Sequence, residues 1–472
     1  MRQFLLAAAL ACSALGGGAA AADGALDPSF GTDGEFPGYG FYANPNGTPN
    51  FSLDTVGGVL QRPDGKLWLA GRMRAPGAYR LSLYRVGANG YPDVDFGELG
   101  LRSVIGPCAD FNVSNAVLDA EGRVVLAING CPDFMVYRFL PNGDLDSSLA
   151  GSGVLTVPFD QGGDNEDFSQ QVAVAANGDI IVAGTVTTAG TTQLGIIRYS
   201  DAGQPVAAFG SAGKVQLPFE WSVPEIRGVN GLHLMADGRI VVTGAISQSS
   251  QAVSDKKQFV VRLLANGSMD PSFGNVSAGI SKINLKSPLG LSESPWSYAS
   301  LLESDGRVIQ VGKIQSNQVS SDGDIFLLRW RADGQLDTSI GANGVRQYAL
   351  DFAGPNPAEP RYNWEAARAI TRQANGNYLI LASSNSNQGE YVATALLRLK
   401  RNFGVDTSFG NGGKIQHLVQ ISTTGQHGLN GDALLLQRGR IVVGGTAFTG
   451  LNGRTQMMFG MQHDEIFADT FD

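Results

Sequence analysis

The sequence predicts an all-β fold, a seven-bladed β-propeller of four-stranded antiparallel blades that is closed by the N-terminal strand. Three observations predict it. A nine-residue phrase occurs seven times, a turn followed by an apolar strand occurs seven times, and a strand ending in arginine recurs before six of the phrases. Repetition at a period of roughly 60 residues is typical of propellers and solenoids.

The nine-residue phrase defines the repeat. One copy runs from Leu336 to Gly344. The sixth residue of the phrase, which is usually glycine, lies 53 to 69 residues from the sixth residue of the next copy. In the fifth copy a short insertion follows this residue. The other six copies begin at Leu26, Pro92, Leu145, Pro205, Met269 and Val405.

A two-residue turn that leads into an apolar strand alternates with the phrase. Asp-Gly and Asn-Gly pairs tolerate the positive φ of tight hairpin turns, so each copy predicts a hairpin. The strand after the turn is apolar at consecutive positions, which predicts that both of its faces are covered. The turns begin at Asp64, Glu121, Asn177, Asp237, Asp305, Asn375 and Arg438.

A third element is a strand that ends in arginine and is followed by a turn and the next phrase. With the short strand after the phrase and the two strands of the hairpin, each repeat has four strands, which is the content of a propeller blade. The chain begins with a phrase, Leu26 to Gly34, and its last strand of this type, Met457 to Phe459, has no phrase after it. We therefore expect the segment around Leu26 to Phe36 to pair with the strand near Met457 to Met461 and close a ring. A β-helix is the alternative, but its coils are much shorter.

These motifs resemble those of the delta-60 repeat family of bacterial β-propellers. Asp-x-Ser-Phe-Gly-x-x-Gly alternates with Asp-Gly-Lys/Arg-Ile/Leu over nearly all of the chain after residue 22. Val206 and Ala208 depart from the pattern, as do Leu149 and Ala150. The resemblance implies an exported repeat protein and transfers no site residues.

The amino terminus predicts export. An apolar run from Phe4 to about Leu15 is followed by small residues up to Ala22, in the order of a secretory signal. The run is too short to span a bilayer. We predict a cleaved signal peptide at 1–22 and a propeller at 23–463, with a lipoprotein signal ending at Cys12 as the alternative.

Composition and cysteine content restrict the classes of binding partner and the cellular compartment that we expect. The net charge of −9 disfavours nucleic acid, and no second apolar stretch is long enough to form a transmembrane segment. Without Cys12, the remaining cysteines Cys108 and Cys131 are expected to form a disulfide in an oxidising compartment. We expect a monomer in the periplasm, at the cell surface or secreted by a Gram-negative bacterium. The acidic and aromatic tail at 464–472 is either a sorting signal or a frayed terminus.

The recurrent charged residues are expected to be structural. Each arginine lies eight residues before the Asp position of the next phrase, a spacing that can bring guanidinium and carboxylate together across a hairpin. A site that is present in every blade is expected to stabilise the fold and not to catalyse a reaction. The arginines are Arg85, Arg138, Arg198, Arg262, Arg329 and Arg398, and the aspartates are Asp27, Asp93, Asp146, Asp270, Asp337 and Asp406. Val206 replaces the aspartate paired with Arg198, and Gly460 stands where a seventh arginine is expected.

Other candidate residues carry weaker signals. The phrase serine, as in Ser29, is expected to bond local backbone and the phrase phenylalanine, as in Phe30, to pack between blades. The histidines His233, His417, His427 and His463 lack the spacing of metal ligands. No cofactor is expected, although the acidic loop 160–167 has enough oxygen atoms to leave calcium open.

Three tryptophans are candidates for a ligand platform. Trp221, Trp296 and Trp364 precede the second strand in three successive repeats, so their loops are expected to open on one face. Stacking on a sugar or peptide and packing between blades both remain open.

Function is predicted by class only. The leading hypothesis is a non-enzymatic binding or scaffold protein with an unknown protein or polysaccharide ligand. The alternatives are a hydrolase or lyase with residues converging on the channel mouth, and a carbohydrate-binding propeller. Clustering of non-recurrent polar residues at a channel mouth would favour an enzyme, and scattering would favour a scaffold.

Overall fold

The computed structural model describes most of the chain after the predicted signal. Its described residues are 23–31, 37–42, 55–159, 167–188, 191–221, 228–247, 256–286, 289–291, 294–315, 323–341, 343–352, 362–386, 391–417, 427–437, 439–449 and 454–462. The predicted signal peptide, the C-terminal tail and nearly all of the acidic loop lie outside these residues.

The described part is all-β, apart from one 3₁₀ turn at Thr338–Ile340, and its strands fall into antiparallel groups of four. Short parallel pairings join the last three groups into one twelve-stranded sheet. We call these groups units and number them along the chain. Unit 1 contains β2 (Thr55–Gln61), β3 (Leu67–Ala75), β4 (Ala78–Val86) and β5 (Leu101–Ile105); unit 2 contains β6 (Asn112–Leu118), β7 (Val124–Asn129), β8 (Phe134–Phe139) and β9 (Val154–Val157); unit 3 contains β10 (Phe168–Val174), β11 (Ile180–Thr188), β12 (Thr191–Tyr199) and β13 (Lys214–Trp221); unit 4 contains β14 (Val229–Leu234), β15 (Ile240–Ser247), β16 (Lys256–Leu263) and β17 (Ile280–Asn284).

The later units follow the same order. Unit 5 contains β18 (Trp296–Leu302), β19 (Val308–Gln315), β20 (Gly323–Trp330) and β21 (Val345–Tyr348); unit 6 contains β22 (Tyr362–Arg372), β23 (Tyr378–Ser386), β24 (Tyr391–Leu399) and β25 (Lys414–His417); unit 7 contains β26 (His427–Gln437), β27 (Arg440–Thr449), β28 (Arg454–Gln462) and, from the amino terminus, β1 (Tyr39–Tyr42).

The pairing of β1 corrects the expected closing strand. Tyr39 to Tyr42 pair antiparallel with Phe459 to Gln456, whereas Leu26 contributes one isolated bridge to Met461. In every other unit the phrase is a turn segment and the strand after it is the one that pairs. The same rule holds here, because β1 follows the phrase and the phrase contributes only the single bridge of Leu26.

The turn residues and the buried strands explain why each unit folds. Gly65 has a φ of +81°, the left-handed conformation that glycine adopts without a steric penalty. The strand that follows such a turn is buried on both faces, as in β7, where all six residues are buried. Successive units pack these faces against each other. One apolar cluster contains Trp68 and Phe96 of unit 1 with Leu126 and Tyr137 of unit 2.

All units point the same way along the strand direction. The beginning of each first strand, the hairpin between the second and third strands, and the connection to the next unit lie at one end of the sheets. We call this the variable end. The glycine turns and the phrases lie at the opposite end. No helix in the described part of the chain is long and apolar enough to cross a membrane.

Candidate functional site

The recurrent arginines and aspartates form ion pairs at the phrase end of the units. Arg85 Nε lies 2.7 Å from Asp93 Oδ2, and Arg262 Nε lies 2.7 Å from Asp270 Oδ2. The same atoms are 2.7 to 2.9 Å apart in the pairs Arg138–Asp146, Arg329–Asp337 and Arg398–Asp406. The guanidinium also lies over the phrase phenylalanine, as with Arg262 over Phe273 at 4.4 Å.

In the phrases that carry the serine, the second oxygen of the phrase aspartate organises its own turn. Ser272 donates to Asp270 Oδ1 from both its backbone nitrogen, at 2.9 Å, and its hydroxyl, at 2.7 Å. The hydroxyl therefore bonds a carboxylate and not local backbone, which corrects the expectation for the phrase serines. Burial alone would raise the pKa of Asp270, but the hydrogen bonds from Ser272 and the charge of Arg262 outweigh it and hold the pKa at about 2.

Two units lack one member of the expected pair, and each supplies it from the second strand or the turn before it. In unit 3, where Val206 replaces the aspartate, Arg198 Nε donates to Asp179 Oδ2 at 2.8 Å. In unit 7, Arg440 Nε donates to Asp27 Oδ2 at 2.7 Å. Gly460 has no room for an arginine, because a Cβ there would lie 2.7 Å from the ring of Phe30. The ion pair is thus kept while its residues change position.

A disulfide joins two loops at the variable end of unit 2. Cys108 and Cys131 are bonded, with Cα atoms 5.9 Å apart. Cys108 lies in the connection that precedes β6, and Cys131 lies in the hairpin between β7 and β8. The bond therefore ties the entry of the unit to its second hairpin.

The described histidines are held within the fold. His233 Nε2 is 2.8 Å from Ser300 Oγ in the next unit, and His417 lies 5.2 Å edge-on from the ring of Phe459. Burial lowers the pKa of both imidazoles to about 4. The His427 side chain and the whole of His463 lie outside the described residues.

Asp167 of the candidate calcium loop and the three candidate tryptophans lie at the variable end. Only Asp167 of the acidic loop is described, and its carboxylate accepts hydrogen bonds from two backbone N–H groups, of Phe159 and Thr187. Trp296 and Trp364 are half-buried, with the ammonium groups of Lys256 and Lys313 at 3.5 and 2.9 Å from their ring centroids. The Trp221 side chain lies outside the described residues. At least one face of each described ring is thus covered by a lysine of the protein.

A cavity opens among the first strands of the units. Its volume is about 940 Å³, and every unit contributes at least one residue of its first strand to the lining. The remaining lining residues come from other strands and from the connection before β6. The lining consists of Thr55, Val56, Gly57, Arg72, Tyr79, Asp110, Asn112, Val113, Ser114, Asn129, Gln170, Gln171, Val229, Asn230, Tyr298, Arg368, Asn430, Asp432 and Thr446.

A β-bulge at the same place in each first strand puts one residue on the cavity wall. The register with the second strand shifts by one residue there, and a bulge re-aims the extra residue relative to its neighbours. The extra residue is polar or charged in six of the units and differs from one to the next. These residues are Gly57, Ser114, Gln170, Asn230, Tyr298, Arg368 and Asp432.

In units 2 to 4 the bulged residue joins one unit to the next. Ser114 Oγ donates to the carbonyl of Ser169 at 2.9 Å, and Asn230 Nδ2 donates to the carbonyl of Ser297 at 2.9 Å. Gln170 accepts from the backbone nitrogen of Val229 through Oε1 at 2.6 Å. These three side chains satisfy backbone groups along the wall, so their role is structural.

In units 5 to 7 the bulged residues are larger or charged. We call Tyr298, Arg368 and Asp432 the charged arc. The guanidinium of Arg368 lies 4.8 Å from the ring centroid of Tyr298, and its Nε donates to Ser383 Oγ at 3.0 Å. Asp432 Oδ1 accepts a hydrogen bond from Asn430 Nδ2 at 2.8 Å. Among the described residues, Arg368 has no carboxylate partner.

The other lining arginine is already paired. Arg72 Nη1 donates to Asp110 Oδ1 at 2.8 Å and to the carbonyl of Phe111 at 2.6 Å, and its guanidinium lies 4.5 Å from the ring of Tyr79. The two arginines therefore differ. Arg72 is held by protein groups, whereas Arg368 offers its two terminal nitrogens to the cavity.

The lining offers hydrogen bonds and charge in place of an activated nucleophile. Its one serine, Ser114, donates to the carbonyls of Ala127 and Ser169, and neither histidine nor cysteine is among the lining residues described. Covalent catalysis needs a nucleophile beside a base. The arrangement suits recognition of a polar ligand.

The charged arc is absent from the sequence-based candidates, although the chain carries a signal for it. In units 1 to 6 the bulged residue lies seven positions before the first residue of the glycine turn, and in unit 7 it lies six positions before Arg438. A column of residues at that spacing reads Gly, Ser, Gln, Asn, Tyr, Arg and Asp. Most recurrent positions of the repeat keep their chemistry in most copies, whereas this position differs in every copy.

Comparison with known proteins agrees with the fold class. Residues 236–273, from the turn of unit 4 through β15 and β16 to Phe273, match a family described as a domain of unknown function (DUF5122) beta-propeller. No curated protein matches the sequence.

Solved structures are similar to this chain at low sequence identity. A catalytically inactive virginiamycin B lyase from Staphylococcus aureus with quinupristin is 12% identical, with 89% of this chain and 99% of that chain covered and a TM-score of 0.42. Puromycin hydrolase is 16% identical, with 87% and 53% covered and a TM-score of 0.45. Drosophila Plexin A in complex with Semaphorin 1b is 9% identical, with 93% and 87% covered and a TM-score of 0.38. The family match at 236–273 and the four-stranded antiparallel groups are together consistent with a β-propeller fold.

Proposed function

We propose that the protein is an exported, non-enzymatic β-propeller with seven blades that binds a polar ligand in its central channel. The observation that carries the proposal is the convergence of different bulged residues from all the units on one cavity of about 940 Å³. Pockets of this size that combine a few placed polar groups are the usual sites of ligand binding.

A repeated contact between neighbours supports closure of seven blades into a ring. Arg262 Nη1 of unit 4 donates to the carbonyl of Ala332 in unit 5 at 2.7 Å. Arg440 Nη1 of unit 7 donates in the same way to the carbonyl of Ala88 in unit 1 at 2.8 Å. Both alanines lie two residues before a turn glycine. The joint between the last and first units thus uses the contact found between internal units.

Buried groups also link unit 7 to unit 1. Gln456 Nε2, fully buried, donates to the carbonyls of Thr55 and Arg72 at 3.0 Å and to Ser82 Oγ at 2.8 Å. An apolar cluster there contains Phe30, Val59 and Met458. Phe30 belongs to the amino-terminal phrase, so this segment completes the seventh blade.

The repeat pattern supports membership of the delta-60 repeat family over the whole propeller. The phrase and the turn recur outside 236–273 with the same ion pairs and serine contacts. Export is supported by the signal-like amino terminus and by the disulfide between Cys108 and Cys131. We place the protein outside the cytoplasm, at the cell surface or in the extracellular space.

A binding screen that compares wild type with a variant of the channel lining tests this function. The variant combines Tyr298→Ala, Arg368→Gln and Asp432→Asn, and native mass spectrometry compares it with wild type against polar metabolites and oligosaccharides. We expect wild type to retain some compounds that the variant does not bind. These compounds should be recovered chemically unchanged. Matching melting temperatures control for folding. If every retained compound binds both proteins equally, the channel is not the site.

An enzyme is the second candidate, because four non-recurrent charged residues, Arg72, Asp110, Arg368 and Asp432, line the cavity. In that case the retained compound is recovered as a product, and the triple variant loses the turnover. Recovery of product from wild type would overturn the non-enzymatic part of the proposal and leave the site in place.

A further inference from the structure

We infer that the channel ligand is an acidic oligosaccharide, built from uronic acid residues, with one carboxylate bound by Arg368. This inference rests on the proposed function, because it assigns the chemistry of the same cavity. Four observations support it: the charge of the lining, the orientation of Arg368, the hydrogen-bonding groups around it and the size of the cavity.

The charge of the lining calls for a single anionic group beside the charged arc. Arg72 is neutralised by Asp110 at 2.8 Å, whereas Arg368 is bonded only to neutral groups within the described part of the chain. A half-buried guanidinium is stabilised by a carboxylate that replaces its water. Asp432, on the next unit, repels carboxylates, so the other uronate groups of the ligand must lie away from it.

The geometry of Arg368 favours a carboxylate. Its Nε is occupied by Ser383 Oγ, and the ring of Tyr298 lies against the guanidinium plane. The side opposite Nε, formed by the two terminal nitrogens, has no partner among the described residues. Two parallel N–H groups match the two oxygens of a planar carboxylate in a bidentate pair.

The rest of the wall suits hydroxyl groups. Asn112, Gln171 and Asn430 carry amides, which both donate and accept hydrogen bonds, and Asp432 accepts them. A sugar hydroxyl is likewise both a donor and an acceptor. The cavity, about 940 Å³, is too large for a free amino acid and has room for several sugar rings. A carboxylate on a hydroxyl-rich chain satisfies both parts of the wall.

Calorimetric titration tests the assignment with defined probes. The uronate probes are trigalacturonate, trimannuronate and triguluronate, and the matched neutral probe is fully methyl-esterified trigalacturonate. Glutamate and inorganic phosphate test the competing amino-acid and phosphate classes. We expect at least one uronate trimer to bind wild type and Arg368→Gln to weaken it at least tenfold, because a charge-assisted bidentate contact is lost. Arg368→Lys is expected to bind with intermediate affinity.

Arg331→Gln is the control variant, because Arg331 is an exposed arginine paired with Asp333 at the phrase end. It removes the same charge from the opposite end and should leave binding unchanged. The inference is overturned if no uronate trimer binds, if the methyl ester binds equally well, if Arg368→Gln binds like wild type, or if only glutamate or phosphate depends on Arg368. A channel ligand of another class found in the binding screen would overturn this inference and keep the proposed function.

Discussion

Removing the Phe30 ring tests whether the amino-terminal phrase completes the seventh blade. Phe30 is 1% exposed, packs beside Gly90 and Gly460, and lies 5.3 Å below the guanidinium of Arg440. Phe409, the same position of the phrase in unit 6, is 0% exposed and lies 4.5 Å from the guanidinium of Arg398. The two rings are therefore matched in chemistry and burial, and differ only in that one precedes the whole array.

Phe→Ala at a buried site costs about 3–5 kcal/mol, from lost transfer free energy and the cavity left behind. Loss of the cation–π contact adds about 0.5–1 kcal/mol. We expect Phe30→Ala and Phe409→Ala to lower the free energy of unfolding by similar amounts, measured by urea denaturation followed by tryptophan fluorescence. If the amino-terminal segment does not dock, Phe30→Ala will change stability by no more than about 0.5 kcal/mol while Phe409→Ala keeps its full effect. That outcome would refute ring closure by this segment.

Four further predictions follow from the structure. Asp179→Asn should lower the free energy of unfolding, measured by urea denaturation, by about 2 kcal/mol, because it removes the carboxylate that pairs with Arg198. Adding Val206→Asp to that variant should restore most of the loss, and no rescue would contradict the conclusion that Asp179 replaces a carboxylate at position 206. Reduction of Cys108–Cys131, which encloses about two dozen residues, should lower the free energy of unfolding by about 3 kcal/mol, and free thiols in the exported protein would count against the bond. The free energy of unfolding should fall as pH drops from about 6.5 to 4, because the histidines of the unfolded chain take up protons while His233 and His417, with pKa values near 4, stay neutral in the folded protein. The loss should be about 1–2 kcal/mol per histidine, and His233→Gln should make the free energy of unfolding depend less steeply on pH. Intact mass of exported protein should correspond to a chain that begins at Asp23, and a mass that includes Met1 or lipid on Cys12 would contradict cleavage after Ala22.

The sequence carries the local structure of the repeat because turns and buried strands have strong local signals. The turn at Asp64-Gly65 needs a positive φ that glycine supplies, and the consecutive apolar residues of β7 require cover on both faces. The spacing of eight residues places Arg262 opposite Asp270 across the hairpin. Each of these depends on residues close together in one repeat.

Features that depart from the repeat pattern, or that depend on contacts between repeats, are harder to predict. The pairing of Arg198 with Asp179 is hidden because the carboxylate has moved from the phrase to the start of the second strand. Gly460 has no local explanation, and its cause is the ring of Phe30, more than 400 residues earlier in the chain. The amino-terminal strand that pairs with β28 is Tyr39–Tyr42 and not the phrase, and this is hard to predict because β1 has no hairpin partner nearby in sequence.

The charged arc is the clearest example. Tyr298, Arg368 and Asp432 are single polar residues in different repeats, and nothing in their neighbourhood distinguishes them from a solvated strand end. Their position on the cavity wall depends on the bulge, which is a property of backbone pairing, and on the arrangement of the units around one cavity. Aligning the repeats on the glycine turn brings these positions into one column.

A crystal structure with a compound retained in the binding screen tests the central claim most directly. The account predicts ligand density within the cavity, in hydrogen-bond contact with Arg368 and between Tyr298 and Asp432. Density on the loops beside Trp296 and Trp364, with the cavity holding only solvent, would contradict it.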